Sequence, residues 1–270
     1  MSRKQLRQLA ANPDFISGIH NYCDRWCERC SFSSRCFVYA TEKADLDLED
    51  PDVRDLNNAK FWRKLESIFK DAHELIHECA AEAGVDLDAI DAAEEIAAHA
   101  EKTKDARRHE FSLLARNYAG LVQGWFANDS TLAQVQQHLK DLNPQSAEAE
   151  IDITAAVEII RWYQFFIAAK VFRALLGDDD ELGDIYHGNG DITNPAQTDA
   201  NGSAKIALIA IDRSFSAWHT MQTYFPDMKD SIATMMIALE TLRKGVEETL
   251  PLARDFVRPG FDEVTSEFAS

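Results

Sequence analysis

Between Ile151 and Leu176 the chain sets apolar side chains on nearly every side of a helical wheel: Val157, Ile160, Trp162, Tyr163, Phe165, Phe166, Ile167, Val171, Phe172 and Leu175. A segment this long and apolar, with no Pro or Gly, predicts a central helix surrounded by others. Glu158, Arg161, Gln164, Lys170 and Arg173 interrupt it too often for a membrane span. Its neighbours repeat the helical period. Phe61, Trp62, Leu65, Ile68, Phe69, Ala72, Leu75, Ile76, Cys79 and Ala80 recur at three and four from Ala59 to Ala83, and Gly84 ends the run. Asp105 to Ala127, Ala204 to Tyr224 and Asp230 to Leu250 read the same way, with Pro251 as the last stop. Weaker signals predict an acidic helix or linker over Val85 to Lys104 and a short helix capped by Ser130 through Leu132, Val135 and Leu139, broken at Asn143-Pro144.

Alternating Val/Ile/Thr runs and Asn-Gly hairpin turns between them are missing, and no fixed repeat recurs. The expected fold is therefore all-α: a bundle of about five or six helices over 59–250, an N-terminal cysteine segment over 1–40 packed on it, and a C-terminal tail over 251–270. Gly177 to Gly202, rich in Gly, Asp and Asn, is too long for an idle connection and is expected to be a disordered loop, with a mobile lid as the alternative. It lacks the alternating oxygen ligands and closing Glu of an EF-hand, which excludes that calcium site.

With 46 acidic and 28 basic residues the formal charge is −18. Such a field repels nucleic-acid phosphates and anionic lipid, so neither nucleic acid nor a membrane is an expected partner. With no apolar run of spanning length and no leader pattern in the first twelve residues, the expected location is the cytosol.

Cysteine use is uneven. Cys23, Cys27, Cys30 and Cys36 crowd one short stretch, with three, two and five positions between them, while the rest of the chain holds only Cys79, expected in the core of its helix. In a reducing compartment disulfides are disfavoured, and two bridges in so short a loop would be strained, leaving a metal as the natural partner of four thiolates. A [4Fe–4S] cube, whose corners are spread over several ångströms, suits a single short loop; zinc, the alternative, more often uses two separated C-x2-C knuckles. Arg25, Arg29 and Arg35 would offset the thiolate charge, and Trp26, Phe32, Phe37 and Tyr39 would shield it from water. Packing and capping are the simpler roles for each of these.

Three resemblances meet in this segment. Cys23-x3-Cys27-x2-Cys30 is similar to the cysteine motif of radical S-adenosylmethionine enzymes. That family sets the motif after the first strand of a β/α barrel and leaves one iron free, whereas this chain has no strand pattern and offers Cys36. Cys27-x2-Cys30-x5-Cys36 resembles the end of the [4Fe–4S] loop of helix-hairpin-helix DNA glycosylases, implying the cluster and not the activity, since the acidic charge opposes DNA. The stretch from Asp14 to Ala40 resembles the opening of a bacterial family with an N-Y-C-D-R-W-C-E-R-C segment, a likeness that implies no activity.

His73-Glu74-Leu75-Ile76-His77 spells H-E-x-x-H, in which two histidines one turn apart bind zinc and the glutamate polarises a metal-bound water. A hydrolase would need a third ligand, for which Glu94, Glu95, Glu101 and Glu110 are the candidates. Both histidines fall at the edge of the apolar stripe, so packing is the expected role and no metal loss is expected on replacing them. A di-iron carboxylate bundle would need a second E-x-x-H pair, and only scattered acids such as Glu158 and Asp212 are present. Glu158 and Arg161 are expected to form a buried ion pair, and Lys205, Asp212, Ser216 and His219 a solvated helix face. The preferred reading is a cytosolic four-cysteine metal protein carrying a [4Fe–4S] cluster for electron transfer or redox sensing with a protein partner. Alternatives are an adaptor stapled by zinc at the four cysteines and a zinc hydrolase using His73, Glu74 and His77.

Overall fold

The computed structural model describes residues 3–46, 50–128, 147–177 and 194–262, together with the helical positions Ala133, Val135 and Gln137. The described residues contain eight α-helices and no strand. In chain order they are α1 (Arg3–Ala10), α2 (Phe37–Leu46), α3 (Ala59–Glu82), α4 (Ala93–Arg108), α5 (Glu110–Ala127), α6 (Ala147–Leu176), α7 (Asp199–Tyr224) and α8 (Lys229–Thr249). The all-α expectation holds; α1 and α2 are additions to it. Contacts divide the chain into two compact units, Met1–His20 with Arg25–His99, and Asn21–Asp24 with Ala100–Ser270.

In the second unit α6 packs most extensively on α7 and also on α5, while α8 covers α7 and α5. The buried positions of α6 are Ile153, Ala156, Ile160, Tyr163, Ile167, Val171 and Ala174, a run of three- and four-residue steps that selects one face. Its other face, with Ile151 and Phe165, is exposed, so α6 is flanked and not surrounded. Glu158 and Arg161 lie on that outer face, which corrects the burial expected of them; the Arg161 guanidinium sits 4.5 Å over the Phe126 ring. The core between α5 and α7 is aromatic. Trp125 and Trp218 meet edge to face at 5.2 Å, and the Trp218 indole donates to the Tyr118 hydroxyl at 3.1 Å, satisfying a polar group that burial would otherwise penalise.

α7 begins at Asp199, inside the stretch expected to be a loop, because Thr198 caps it by accepting from the Asn201 amide at 3.1 Å. Residues 178–193 of that stretch lie outside the described residues, as do Ser130, Leu132, Leu139 and Asn143-Pro144. Gly202 has a packing reason to be in this helix: a Cβ there would overlap the rings of Tyr22 and Phe256. His109 begins α5 by an analogous cap, its Nδ1 accepting from the Phe111 amide at 3.3 Å.

In the first unit α3 has the register the sequence predicts but buries none of its residues. Trp62, Ile68, Phe69 and Ile76 are all exposed, and Cys79 is exposed too, correcting its place in a helix core. The neighbours of α3 in this unit are polar or short. Arg7 of α1 donates to Glu82 at 2.8 Å and to Glu78 at 3.3 Å, with Cys79 Sγ 3.8 Å away, and Lys60 pairs with Asp50 and Asp52 before the first turn. Ile19 is the one buried apolar side chain of this unit among the described residues.

Gly202→Ala is expected to destabilise the protein by about 1–2 kcal/mol, overpacking costing more than the helix gains from losing a glycine. Gly124→Ala is expected to stabilise it by about 0.5–1 kcal/mol. A Cβ at that position meets nothing within 4 Å. Urea unfolding of both variants checks the opposed signs.

Candidate functional site

The cysteine segment is built from short turns. Cys27–Arg29 and Ser33–Arg35 are 3-10 turns, and the residue closing each is a cysteine in extended conformation: Cys30 (φ −85°, ψ 121°) and Cys36 (φ −111°, ψ 117°). The Cys30 amide donates to the Cys27 carbonyl at 3.2 Å and the Cys36 amide to the Ser33 carbonyl at 3.3 Å. The Cys36 carbonyl then accepts from the Ala40 amide at 3.0 Å as α2 begins. Arg25 has a left-handed backbone, with φ at 59°. That region is unusual for a residue with a Cβ and is held by what flanks it.

The interleaved arginines are engaged locally, as the packing reading expects. Arg29 stacks 3.9 Å over Trp26, Arg25 pairs with Glu42 at 3.4 Å, and Arg35 Nε donates to the Asp14 carbonyl at 3.2 Å. No disulfide joins any of the five cysteines; the four clustered ones are half-buried. Among the described residues no three His, Cys, Asp or Glu side chains are arranged to hold a metal ion.

Residues 21–24, immediately around the first cysteine, are clamped to α6 and α7. Lys170 Nζ donates to the Asn21 carbonyl at 2.9 Å, and the buried Tyr22 donates through its hydroxyl to Asp199 at 2.9 Å. Asp199, itself buried, also accepts from Arg173 Nε at 2.8 Å and from its Nη2. Asp24 takes the Tyr163 hydroxyl at 2.8 Å and Arg213 Nη1 at 2.7 Å, while its carbonyl accepts from the Trp162 indole at 2.9 Å. Burial, reinforced by the Asp24 carboxylate and opposed by Arg213, pushes the Tyr163 hydroxyl up to about 12, so it remains a donor at every physiological pH. Cys23 thus sits between two side chains with fixed positions. Asp24, Tyr163, Arg173, Asp199 and Arg213 do not stand out from the sequence as a group. The available signal was Arg173, one of the charged residues punctuating the most apolar helix.

In the H-E-x-x-H segment the structure brings His73 and His77 together, with Nε2 atoms 3.2 Å apart and ring centroids at 4.4 Å. Both are exposed, which corrects the packing role, since the stripe they border is itself uncovered. Glu74 lies 3.9 Å from Lys70. Neither Glu94 nor Glu95 forms a ligand group with the pair; Glu101 is held by Lys104 at 2.9 Å. Lys205 is not on a solvated face, since it reaches the Phe256 carbonyl and, at 2.8 Å, Asp262; Asp212 keeps a partly exposed side chain and accepts from Arg254 at 3.1 Å. Ser216 and His219 of the same set are exposed. No helix among the described residues is long and apolar enough to cross a membrane. No family model matches the chain, and no curated protein or solved structure does either.

Asp262 supplies a pH test. Burial alone would raise its pKa, but hydrogen bonds from Arg258 and Lys205 outweigh it and hold the carboxyl well below the usual carboxylate range. The resulting stabilisation is complete above the unfolded-state pKa of about 3.9 and fades as pH falls from there toward the folded pKa. Asp262→Asn is therefore expected to cost about 1.5–3 kcal/mol at pH 7, the loss of charge-assisted hydrogen bonds. Unfolding midpoints of the variant and the parent should draw together as pH falls below about 4.

Proposed function

We propose that Cys23, Cys27, Cys30 and Cys36 bind a [4Fe–4S] cluster through which the protein transfers an electron to, or senses redox state with, a protein partner. The observation that carries this reading is the concentration of four thiols between positions 23 and 36, in a chain whose only other cysteine is Cys79. Their state supports it: they lie outside any disulfide and are half-buried, whereas Cys79 is exposed on α3. A cluster held by these four thiolates would supply one-electron chemistry with no bond to the protein made or broken, and the surrounding chain would need only to fix the sulfurs and limit water. The clamp at Asn21–Asp24 suits that duty for Cys23.

The first unit gives a metal a second use. With one buried apolar side chain among its described residues, this unit gains little from a hydrophobic core. A metal bound only in the folded state contributes its binding energy to folding. The same argument favours a structural zinc at the four cysteines as the alternative, in which the protein is an adaptor.

Anaerobically purified protein separates the two readings. A cluster gives visible absorption at about 400 nm together with stoichiometric iron and sulfide; a zinc staple gives one zinc and no visible band. We expect the first result. Cys27→Ser and Cys30→Ser should each lose the metal and expose the N-terminal segment to protease, while far-ultraviolet circular dichroism stays largely helical. Cys79→Ser should keep the full complement. Retention of all iron in Cys30→Ser would refute the four-cysteine site.

A further inference from the structure

We propose that His73 and His77 form one half of a divalent transition-metal site that a second copy of this chain completes, pairing the α3 helices of two molecules through their exposed apolar strip. This site is separate from the four cysteines and does not depend on what they bind.

The geometry starts with the two imidazoles. Two nitrogens each about 2.0–2.1 Å from a tetrahedral zinc are about 3.4 Å apart. The Nε2 atoms of His73 and His77 are 3.2 Å apart. Once the hydrogen bond between the two nitrogens is given up, the pair can therefore chelate one ion at nearly its present spacing. One helical turn in either direction offers no third ligand: Phe69 and Lys70 precede His73, and Ala80 and Ala81 follow His77. Among the described residues no third His, Cys, Asp or Glu side chain joins the pair in a ligand group. A two-histidine chelate leaves two tetrahedral positions open, and the same two nitrogens from another copy fill them. Imidazole ligands without thiolate or clustered carboxylate select zinc, copper or nickel over calcium or magnesium.

The helix around the pair argues for a second copy and against water as the other ligands. At about 100° per residue, Trp62, Phe69, Ile76 and Ala80 lie within a narrow arc that also contains His73, with His77 at its margin. Trp62 is 57% exposed, Phe69 67% and Ile76 59%, so the histidines are set in a line of uncovered apolar side chains. A two-fold axis at the level of Leu75 would bring His73 of each copy opposite His77 of the other. Phe69 would then lie over Ala80 and Ala81, a large side chain over small ones, in the isologous pairing of a symmetric dimer. Each copy carries a formal charge of −18, which opposes the approach of two copies, and Glu66 lies on the same side of α3. The shared metal places positive charge where they meet.

The test uses the full chain in the presence of a non-thiol reductant, with mass measured by sedimentation as zinc is added and then chelated. The metal content of the dimer is compared with that of His73→Ala/His77→Ala. We expect a reversible zinc-dependent dimer holding half an equivalent of zinc per chain more than the double variant. That variant should remain monomeric at all zinc levels with unchanged helical circular dichroism. Phe69→Glu keeps both histidines and should weaken zinc-dependent dimerisation at least tenfold. A parent that stays monomeric with zinc, a monomer holding one zinc per histidine pair, or a dimer unaffected by loss of both histidines would each overturn the proposal.

Discussion

The insertion of Tyr22 against α7 is the contact on which the second unit's order most depends. Gly202 leaves the space that the ring fills, Phe256 closes the other side with ring centroids 4.5 Å apart, and the Tyr22 hydroxyl ends on Asp199. That carboxylate is buried and would be costly alone; Arg173 neutralises it from α6, and Thr198 starts the helix just before it. One aromatic side chain from the first tenth of the chain is thus tied to α6, to the first turn of α7 and to the segment after α8. The cysteine that follows it inherits a fixed position for this reason.

Helices whose apolar residues face other helices were legible in the sequence. α5, α7 and α8 follow from three- and four-residue spacing because packing in the second unit rewards that spacing, and α6 from its length and nearly all-round apolarity. The same pattern misleads at α3, where an equally clear stripe is uncovered: periodicity states which face is apolar, not whether anything lies against it. α1 and α2 escaped notice because α1 is only eight residues long, with Leu6, Leu9 and Ala10 as its apolar residues, and α2 mixes its apolar residues around the wheel. The start of α7 was hidden by Asp, Asn and Gly, which signal loops by propensity. Here they are a buried anchor for Tyr22, an amide donating to the Pro195 carbonyl at 3.3 Å and a packing notch.

For the candidate sites, the cysteine spacing was visible and the partners of the residues around it were not. Asp24 bonds to Tyr163 and Arg213, which lie 139 and 189 positions along the chain, and no local pattern encodes such pairs. The histidine pair shows the reverse case. The motif was plain, its enzymatic reading asked for a third ligand, and what the fold supplies is two close imidazoles on an open helix.

The tryptophans differ sharply in their exposure to water. Trp125 and Trp218 touch in the dry interior of the second unit, 7% and 0% exposed, whereas Trp62 of the first unit is 57% exposed. Indoles shielded from water emit at shorter wavelength than those in contact with it. The blue edge of the emission band therefore follows the aromatic interior around α5 and α7, and its red edge carries Trp62 of α3 together with Trp162 of α6, which is 37% exposed. A chain carrying both Trp26→Phe and Trp62→Phe would keep tryptophan in the second unit alone, so that loosening of that unit could be followed without an added label.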